Sequence, residues 1–510
     1  MLTAGAAGAA PKYAGDTPTP PPSVTDTVPI ADGNRGFRMD MDARRRRRIA
    51  SGLLLEDGTP ALRFDWSTKA DALADIEARK SYWIPAAEII GFDLILNGIN
   101  RNFIGDEYNS SLASIRKNLR SGWRVDNDPF STNQFGHPYQ GSMYHGFARS
   151  AGLGFWESLG YTEVGSALWE IAGETTPPSL NDQITTGFGG SVLGEALFRM
   201  SSLVLEKSEL PPFWRELGAA VISPAAGFNR LAFGNRFDTV FPSGDPVYYG
   251  RLAIGISTVT HNKSSLSFSD LKNTEALADF SLDYGLPGKP GYTYDRPFDL
   301  FAFKVTASSI NGLENLMTRG LLSGRAYEAG ANYRGVWGLY GSYDYIEPQT
   351  FRVSSTALSL GTTGQWWMSE SVAMQGSVLG GLGYATVGSV RSSGVSDNHY
   401  GTAPQALLAL RFIFGERASL ETTTRGYFVS RSGGVNPNGA RDNVYRLDAA
   451  LTVRVRRQHA VSLRYLFSRR DTMSPSFADR SQSSGTIGVF YTYLGSESLG
   501  AVEWRDVDAK

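Results

Sequence analysis

From residue 246 to residue 496, apolar and polar side chains alternate with period two, and this constrains the fold more than anything else in the chain. A strand turns successive side chains to opposite faces, so the alternation marks strands with one greasy and one wet face. Tyr445, Leu447, Ala449, Leu451, Val453 and Val455 lie on one side of the clearest example, with Arg446, Asp448, Ala450, Thr452, Arg454 and Arg456 on the other. Leu252, Ile254 and Ile256, then Val461, Leu463 and Tyr465, then Ile487, Val489, Tyr491 and Tyr493 repeat it. About twelve strands are predicted, near 246–260, 275–286, 298–310, 314–328, 332–346, 350–361, 364–387, 399–414, 416–431, 443–457, 459–470 and 482–495. Each exceeds the roughly 9–11 residues that cross a bilayer at a tilt, whereas strands of soluble sandwiches usually have about 5–6.

The connections also alternate. Gly415-Glu416 and Arg457-Gln458-His459 are tight, while 388–398, 432–442 and 470–481 are long and polar. Short turns at one end and long loops at the other are the pattern of an outer-membrane barrel, and an even strand number returns both ends of the barrel to the periplasmic side. The charges agree. Arg251, Arg319, Arg325, Arg334, Arg352, Arg411, Arg425, Arg446, Arg454, Arg456 and Arg464 fall on the more polar face of their strands, as do Asp279, Asp283, Asp344, Glu421 and Asp448. A charge facing lipid at mid-depth costs about 2–4 kcal/mol, so this face is predicted to be the lumen, filled by mutually paired charges. Residues 498–507 offer a further strand, with Trp504 as a girdle residue.

Composition fits this reading. Only 19% of the 510 residues are charged, 12% are aromatic and 57 are glycine, at a mean hydropathy of −0.22. Helical membrane proteins are far greasier, whereas alternating strands average out. Lys+Arg number 49 against 50 Asp+Glu, a net 49 − 50 = −1, which argues against a nucleic-acid partner. The absence of cysteine excludes disulfides, thiolate metal sites and cysteine nucleophiles. Residues 1–65 read as a disordered linker with a proline run at 17–22 and five arginines at 44–48. The small-residue run at 4–10 has the character of a cleavage region, as if an export signal lay upstream. Residues 497–510 read as a polar tail.

Residues 66–235 are helical in character, which makes the fold class α+β: an N-terminal helical domain followed by an antiparallel transmembrane β-barrel. The segment 84–99 is too short and too polar for a lone span. Its Asp93 and Asn97, with Arg101, form one polar stripe at i, i+4, i+8, expected to meet charges of the lumen. Further helices are predicted over 141–159, 163–174, 191–205 and 212–220. His137-Pro138 reads as a rigid bend, with Ser142 as N-cap of the helix that follows.

Polar residues concentrate between Trp123 and Arg199. His137-Pro138-Tyr139-Gln140-Gly141, Ala148-Arg149, Phe155-Trp156-Glu157-Ser158, Gly165-Ser166, Trp169-Glu170, Ser179-Leu180-Asn181-Asp182, Gly194-Glu195 and Arg199 together resemble a bacterial family catalogued as domain of unknown function 3943. The resemblance covers about a fifth to a quarter of the chain; it implies a cell-envelope location and brings no established activity with it.

The residues themselves offer three constellations. Glu163, Glu170 and Glu174 share a helix face and, with His137 or His145, have metal-site chemistry. His137 or His145 with Ser142 has the composition of a base and a nucleophile that would work with an acidic partner. Glu195 and Arg199 are an i, i+4 pair, with Arg149 and Glu157 as partners and Asp182 nearby, which reads as a structural ion-pair network. Two functions follow. The first is an outer-membrane barrel in a channel, export or structural role, with the helices as a lumenal plug or periplasmic domain. The second is an envelope hydrolase or transferase acting on lipid or glycan through His137, Ser142, His145, Glu170 and Glu174. No cofactor is called for. The expected partners are outer-membrane lipid and the barrel assembly machinery, with no nucleic acid; the sequence names no ligand.

Overall fold

The computed structural model describes residues 66–126, 128–264, 273–389, 398–430, 439–475, 478–496, 498–502 and 504. The predicted linker and most of the tail lie outside them.

The period-two segment closes on itself. Its strands are β1 (Tyr248–Ser264), β2 (Thr274–Tyr284), β3 (Phe301–Ser308), β4 (Gly312–Glu328), β5 (Tyr333–Ile346), β6 (Phe351–Ser369), β7 (Val372–Ser389), β8 (His399–Phe414), β9 (Ala418–Val429), β10 (Arg441–Arg456), β11 (His459–Met473) and β12 (Arg480–Leu494). Each pairs antiparallel with its neighbours in chain order, and β12 pairs with β1 to complete a twelve-stranded barrel. Arg251 lies opposite Leu494, so the barrel begins and finishes at one end. The tight turns 370–371 and 457–458 share that end, called here the turn end; the other is the loop end.

The strand count matches expectation, and three details differ. The hairpin between β6 and β7 turns at Glu370-Ser371 rather than near 362–363. Gly361 and Gly364 sit mid-strand instead; Gly364 leaves room for the ring of Tyr333, since a Cβ there would collide with it. Residues 498–502 form no extra strand: β12 is already paired on both sides, and a 3-10 turn at Leu499–Ala501 carries this segment into the turn end of the lumen. Loop asymmetry also fails between β2 and β6. The 309–311 and 347–350 loops are short, and the turn-end connection 285–300 is long.

Ion pairs between strands that are not neighbours identify the lumenal face. Arg411 of β8 meets Asp283 of β2 at 2.6 Å, Lys304 of β3 meets Asp448 of β10 at 2.8 Å, and Arg251 of β1 meets Glu421 of β9 at 2.7 Å. Side chains of opposite parity point outward, as with Ile254, Trp337, Leu360 and Val489, which are exposed. Three of the predicted lumenal arginines fall on this outward face; one is Arg456, which a register shift after Arg454 places opposite exposed His459. Arg325 opposes outward Trp337 because a bulge at Leu321/Ser323 shifts the register, and Arg352 lies over the Phe130 ring.

The helices are α1 (Trp66–Arg79), α2 (Trp83–Phe103), α3 (Leu112–Asn118), α4 (His137–Ser150), α5 (Phe155–Leu168), α6 (Leu180–Ile184), α7 (Gly190–Lys207), α8 (Pro212–Ile222) and α9 (Pro224–Phe233). The helix predicted over 141–159 is two helices, broken at Gly152, which adopts φ +91°. Ser142 caps nothing; α4 starts five residues earlier, with Pro138 in the first turn where a missing N–H costs little. Helices α4 and α7 run side by side in backbone contact: a Cβ on Gly190 would lie 2.6 Å from the Gly141 Cα, and one on Gly194 would lie 2.9 Å from the His145 Cβ. Small residues at such a spacing let two helices approach closely.

These helices meet the barrel through its outward face. Val192, Leu193, Ala196, Met200 and Leu203 of α7 share one buried cluster with Leu282, Phe301, Phe303, Leu316, Tyr343 and Tyr345, all on the outer parity of β2 to β5. Tyr343 donates its hydroxyl hydrogen bond to the Gln134 carbonyl, and a Cβ on Gly189 would lie 2.8 Å from Thr356 Oγ1, on the outer face of β6. Accordingly, β2 and β3 contribute none of the exposed large apolar side chains among the described residues. The lumen is filled by the barrel's own side chains and by residues 499–502; a lumenal plug was one of the two placements the sequence reading offered for the helices, a periplasmic domain the other.

Candidate functional site

Three π-helical turns, Thr132–Gly136, Trp169–Gly173 and Thr185–Gly189, bring polar side chains together where a regular helix would not. Inside the helical unit these side chains form two buried groups.

The first lies toward the loop end. Asp126 accepts from the Asn133 amide at 2.6 Å and the Asn181 amide at 2.9 Å. The Asn181 Oδ1 accepts in turn from the Asp126 backbone N–H at 3.0 Å and the Ser179 hydroxyl at 2.8 Å. Asn133 also donates to the Tyr400 hydroxyl of β8 at 3.1 Å, tying the group to the barrel wall. Glu170 accepts from the Ser179 N–H at 2.8 Å, and Glu174 from the Trp169 indole at 2.9 Å and the Thr176 hydroxyl at 3.1 Å.

The second group lies toward the turn end. Glu195 accepts from Arg149 Nε at 2.6 Å, Arg199 Nε at 2.8 Å and His145 Nε2 at 3.1 Å. Arg199 continues to Asp299 at 3.2 Å and to the Pro297 carbonyl at 2.6 Å, both in the long 285–300 connection. The guanidinium groups of Arg149, Arg199 and Arg296 lie within 4.6–4.8 Å of the Phe241 ring centre. A carboxylate with two guanidinium partners at full burial is a structural clamp, because removing any member strands a charge.

The predicted site residues are therefore divided. His137 and Asp182 belong to the first group, 3.9 Å apart, too far for a hydrogen bond. His145 belongs to the second. Ser142 donates to the Tyr139 carbonyl at 2.6 Å, and among the described residues no hydrogen bond joins it to either histidine. Glu163 accepts from Gln183 at 2.6 Å. The π turn at Trp169–Gly173 rotates Glu170 and Glu174 out of phase with it, so the three glutamates do not share a face. Among the described residues, no group of three or more histidine, aspartate or glutamate side chains is placed to hold a metal ion. Of the predicted ion-pair residues, Arg149, Glu195 and Arg199 meet. Glu157 turns away to Lys80 at 3.0 Å and to the Gly154 N–H at 2.7 Å. Asp93 and Asn97 meet no lumenal charge: Tyr144 donates to Asp93, and Asn97 donates to the Gly173 carbonyl at 2.6 Å. Asp126, Asn133, Asn181, Tyr400 and Asp299 had no assigned role in the sequence reading. Asp126, Asn133 and Asn181 stood out through the density of polar residues in 123–199, and Asn181 also through the Ser179-Leu180-Asn181-Asp182 motif, whereas nothing in the sequence reading marked Tyr400 or Asp299.

Both groups fall in one stretch of sequence. Residues 122–225 match the family model described as Domain of unknown function (DUF3943). The DUF3943 region thus runs from the approach to α4 into α9 and excludes every barrel strand. No curated protein matches the chain. Among solved structures, the NanC porin aligns at 7% identity and a TM-score of 0.24, over 48% of this chain and 98% of its own. The COG4313 outer membrane channel from Pseudomonas putida F1 aligns at 10% identity and 0.27, over 49% and 96%. The translocator domain of the autotransporter NalP from Neisseria meningitidis aligns at 14% identity and 0.21, over 48% and 88%.

Proposed function

We propose that this protein is a non-conducting outer-membrane barrel in a structural envelope role: a rigid membrane anchor that presents the DUF3943 region on its flank. The observation that carries the reading is the state of the lumen. Charged pairs cross it at successive levels, Arg251–Glu421 and Arg411–Asp283 toward the turn end and Lys304–Asp448 and Arg464–Asp279 above them. Below them, Tyr249, Leu286, Trp367, Ile413, Leu494 and Leu499 form an apolar floor. Gln375 donates to the Gly500 carbonyl at 2.6 Å and fastens residues 499–502 to that floor. A twelve-stranded cylinder filled this way keeps a polar cavity, lined by Arg319 and Arg425 among others, between the crossing ion pairs and above the apolar floor, and this filling is what supports a sealed lumen. Insertion by the barrel assembly machinery goes with this reading.

The test is electrical. The full chain, reconstituted into a planar bilayer, is expected to show no conductance steps above the leak of the lipid. Sustained open steps from the unmodified protein overturn the reading in favour of a channel. The enzymatic alternative gains no support from the geometry, since neither histidine reaches the candidate nucleophile.

A further inference from the structure

We propose that the helical unit lies in the bilayer beside the barrel, with the far faces of α2, α8 and α9 covered by lipid acyl chains. This rests on the barrel spanning the membrane. The helices occupy the place of lipid: they cover the outward residues of β2 to β5, whose counterparts elsewhere on the barrel are bare. Helix α7 follows the wall from end to end. Gly189, just before it, touches Thr356 in the loop-end third of β6, and Lys207 at its finish meets Asp245, three residues before β1. Its 18 residues make about 27 Å of helix, and the 21 of α2 about 31 Å, against about 30 Å of hydrocarbon.

The polarity of α2 is inverted relative to a helix on a water-soluble protein. Glu88, Asp93 and Asn97 turn inward to Asn229, Tyr144 and the Gly173 carbonyl. Outward stand Ile90, Leu94, Ile95, Ile99 and Phe103, with Leu94 69% exposed. Helices α8 and α9 continue the apolar surface with Phe213, Trp214, Leu217, Val221, Phe228 and Leu231, all exposed. In water such a patch far exceeds what soluble monomers show. Here it is continuous with the lipid-facing belt of the barrel, and polar groups that face inward and pair are the arrangement that hydrocarbon imposes. Among the described residues, no helix is long and apolar enough to cross a membrane alone, so the wall of the barrel and the inward hydrogen bonds hold these helices at depth.

The chain has no cysteine, so single cysteines give clean probes. The full chain carrying Leu94→Cys, Leu217→Cys, Ile254→Cys or Arg116→Cys is spin-labelled and reconstituted in phosphatidylethanolamine–phosphatidylglycerol vesicles. Collision rates with oxygen and with a water-soluble nickel chelate are then measured. Labels at 94 and 217 are expected to match the barrel label at 254, with an oxygen-to-nickel ratio severalfold above that at 116. Nickel access at 94 and 217 with protection at 254 overturns this inference and leaves the barrel reading standing. Nickel access at 254 overturns the barrel reading as well. Low access to both reagents at 94 and 217 means that protein covers the face, and also overturns the inference. The two helix positions lie on different helices, so misfolding of one variant leaves the other to decide.

Discussion

Glu195 shows how much of the helical unit depends on a single carboxylate. It is fully buried and accepts from two guanidinium groups and an imidazole. Glu195→Ala leaves Arg149 and Arg199 facing one another without their anion, a loss of about 3–5 kcal/mol for a buried pair broken on one side. The expected readout is a lower urea midpoint for loss of helix in detergent, with barrel strand signal unchanged. An unchanged midpoint means that Asp299 alone neutralises the pair. The Glu195–Arg199 pair was legible in the sequence because i, i+4 spacing fixes it locally, and Arg149 because a second charge in an apolar helix needs a partner. Glu157 was not, since its spacing is equally suited to capping its own helix, which it does. The amide-rich group around Asp126 was illegible for a different reason. Asn133 and Asn181 carry no charge and no periodic signal, and the π turns that bring them together leave no mark in a pattern read at 3.6 residues per turn.

At the scale of elements, the strands were readable because alternation reports directly on which residues share a face. The hairpin at 370–371 was misplaced because Gly361 and Gly364 look like turn residues, while their use is to make room for side chains of the adjacent strands. The docking of α7 on the outer wall could not be read at all. Periodicity tells which face of a helix is apolar but not what covers that face, and a helix in lipid carries the same pattern as a helix in water, turned around. The contact itself is testable at Gly341. A Cβ there would lie 3.1–3.2 Å from Phe188, Leu322 and Val192, so the wall and α7 already touch. Gly341→Leu adds a side chain where no space exists, and overpacking costs about 1–3 kcal/mol. The helical unit is expected to become sensitive to protease in reconstituted vesicles while the barrel stays protected. Equal protection of both parts in the variant argues that α7 does not seat on β5.

For the whole molecule, the placement of the helices and the closure of the lumen make a joint prediction that separates two ways of building a sealed barrel. If helices plugged the lumen, removing residues 66–236 would open it. On the proposed reading the seal comes from the ion pairs that cross the lumen and from Leu499 and Val502, which are buried in the turn-end cluster. Deleting 66–236 is therefore expected to leave the bilayer electrically silent, although it bares the outer wall of β2 to β5. Replacing the floor should do the opposite. Leu499→Asp with Val502→Asp introduces two carboxylates into an apolar layer beneath Arg411 and Arg251, and burying them unpaired costs more than the segment's few contacts return. Residues 499–502 are expected to leave the lumen, with the ion pairs above them hydrated and small-ion conductance appearing in single-channel records. Conductance from the helix deletion together with silence from the floor variant would reverse both assignments at once, because the seal would then lie with the helices and not with the cylinder.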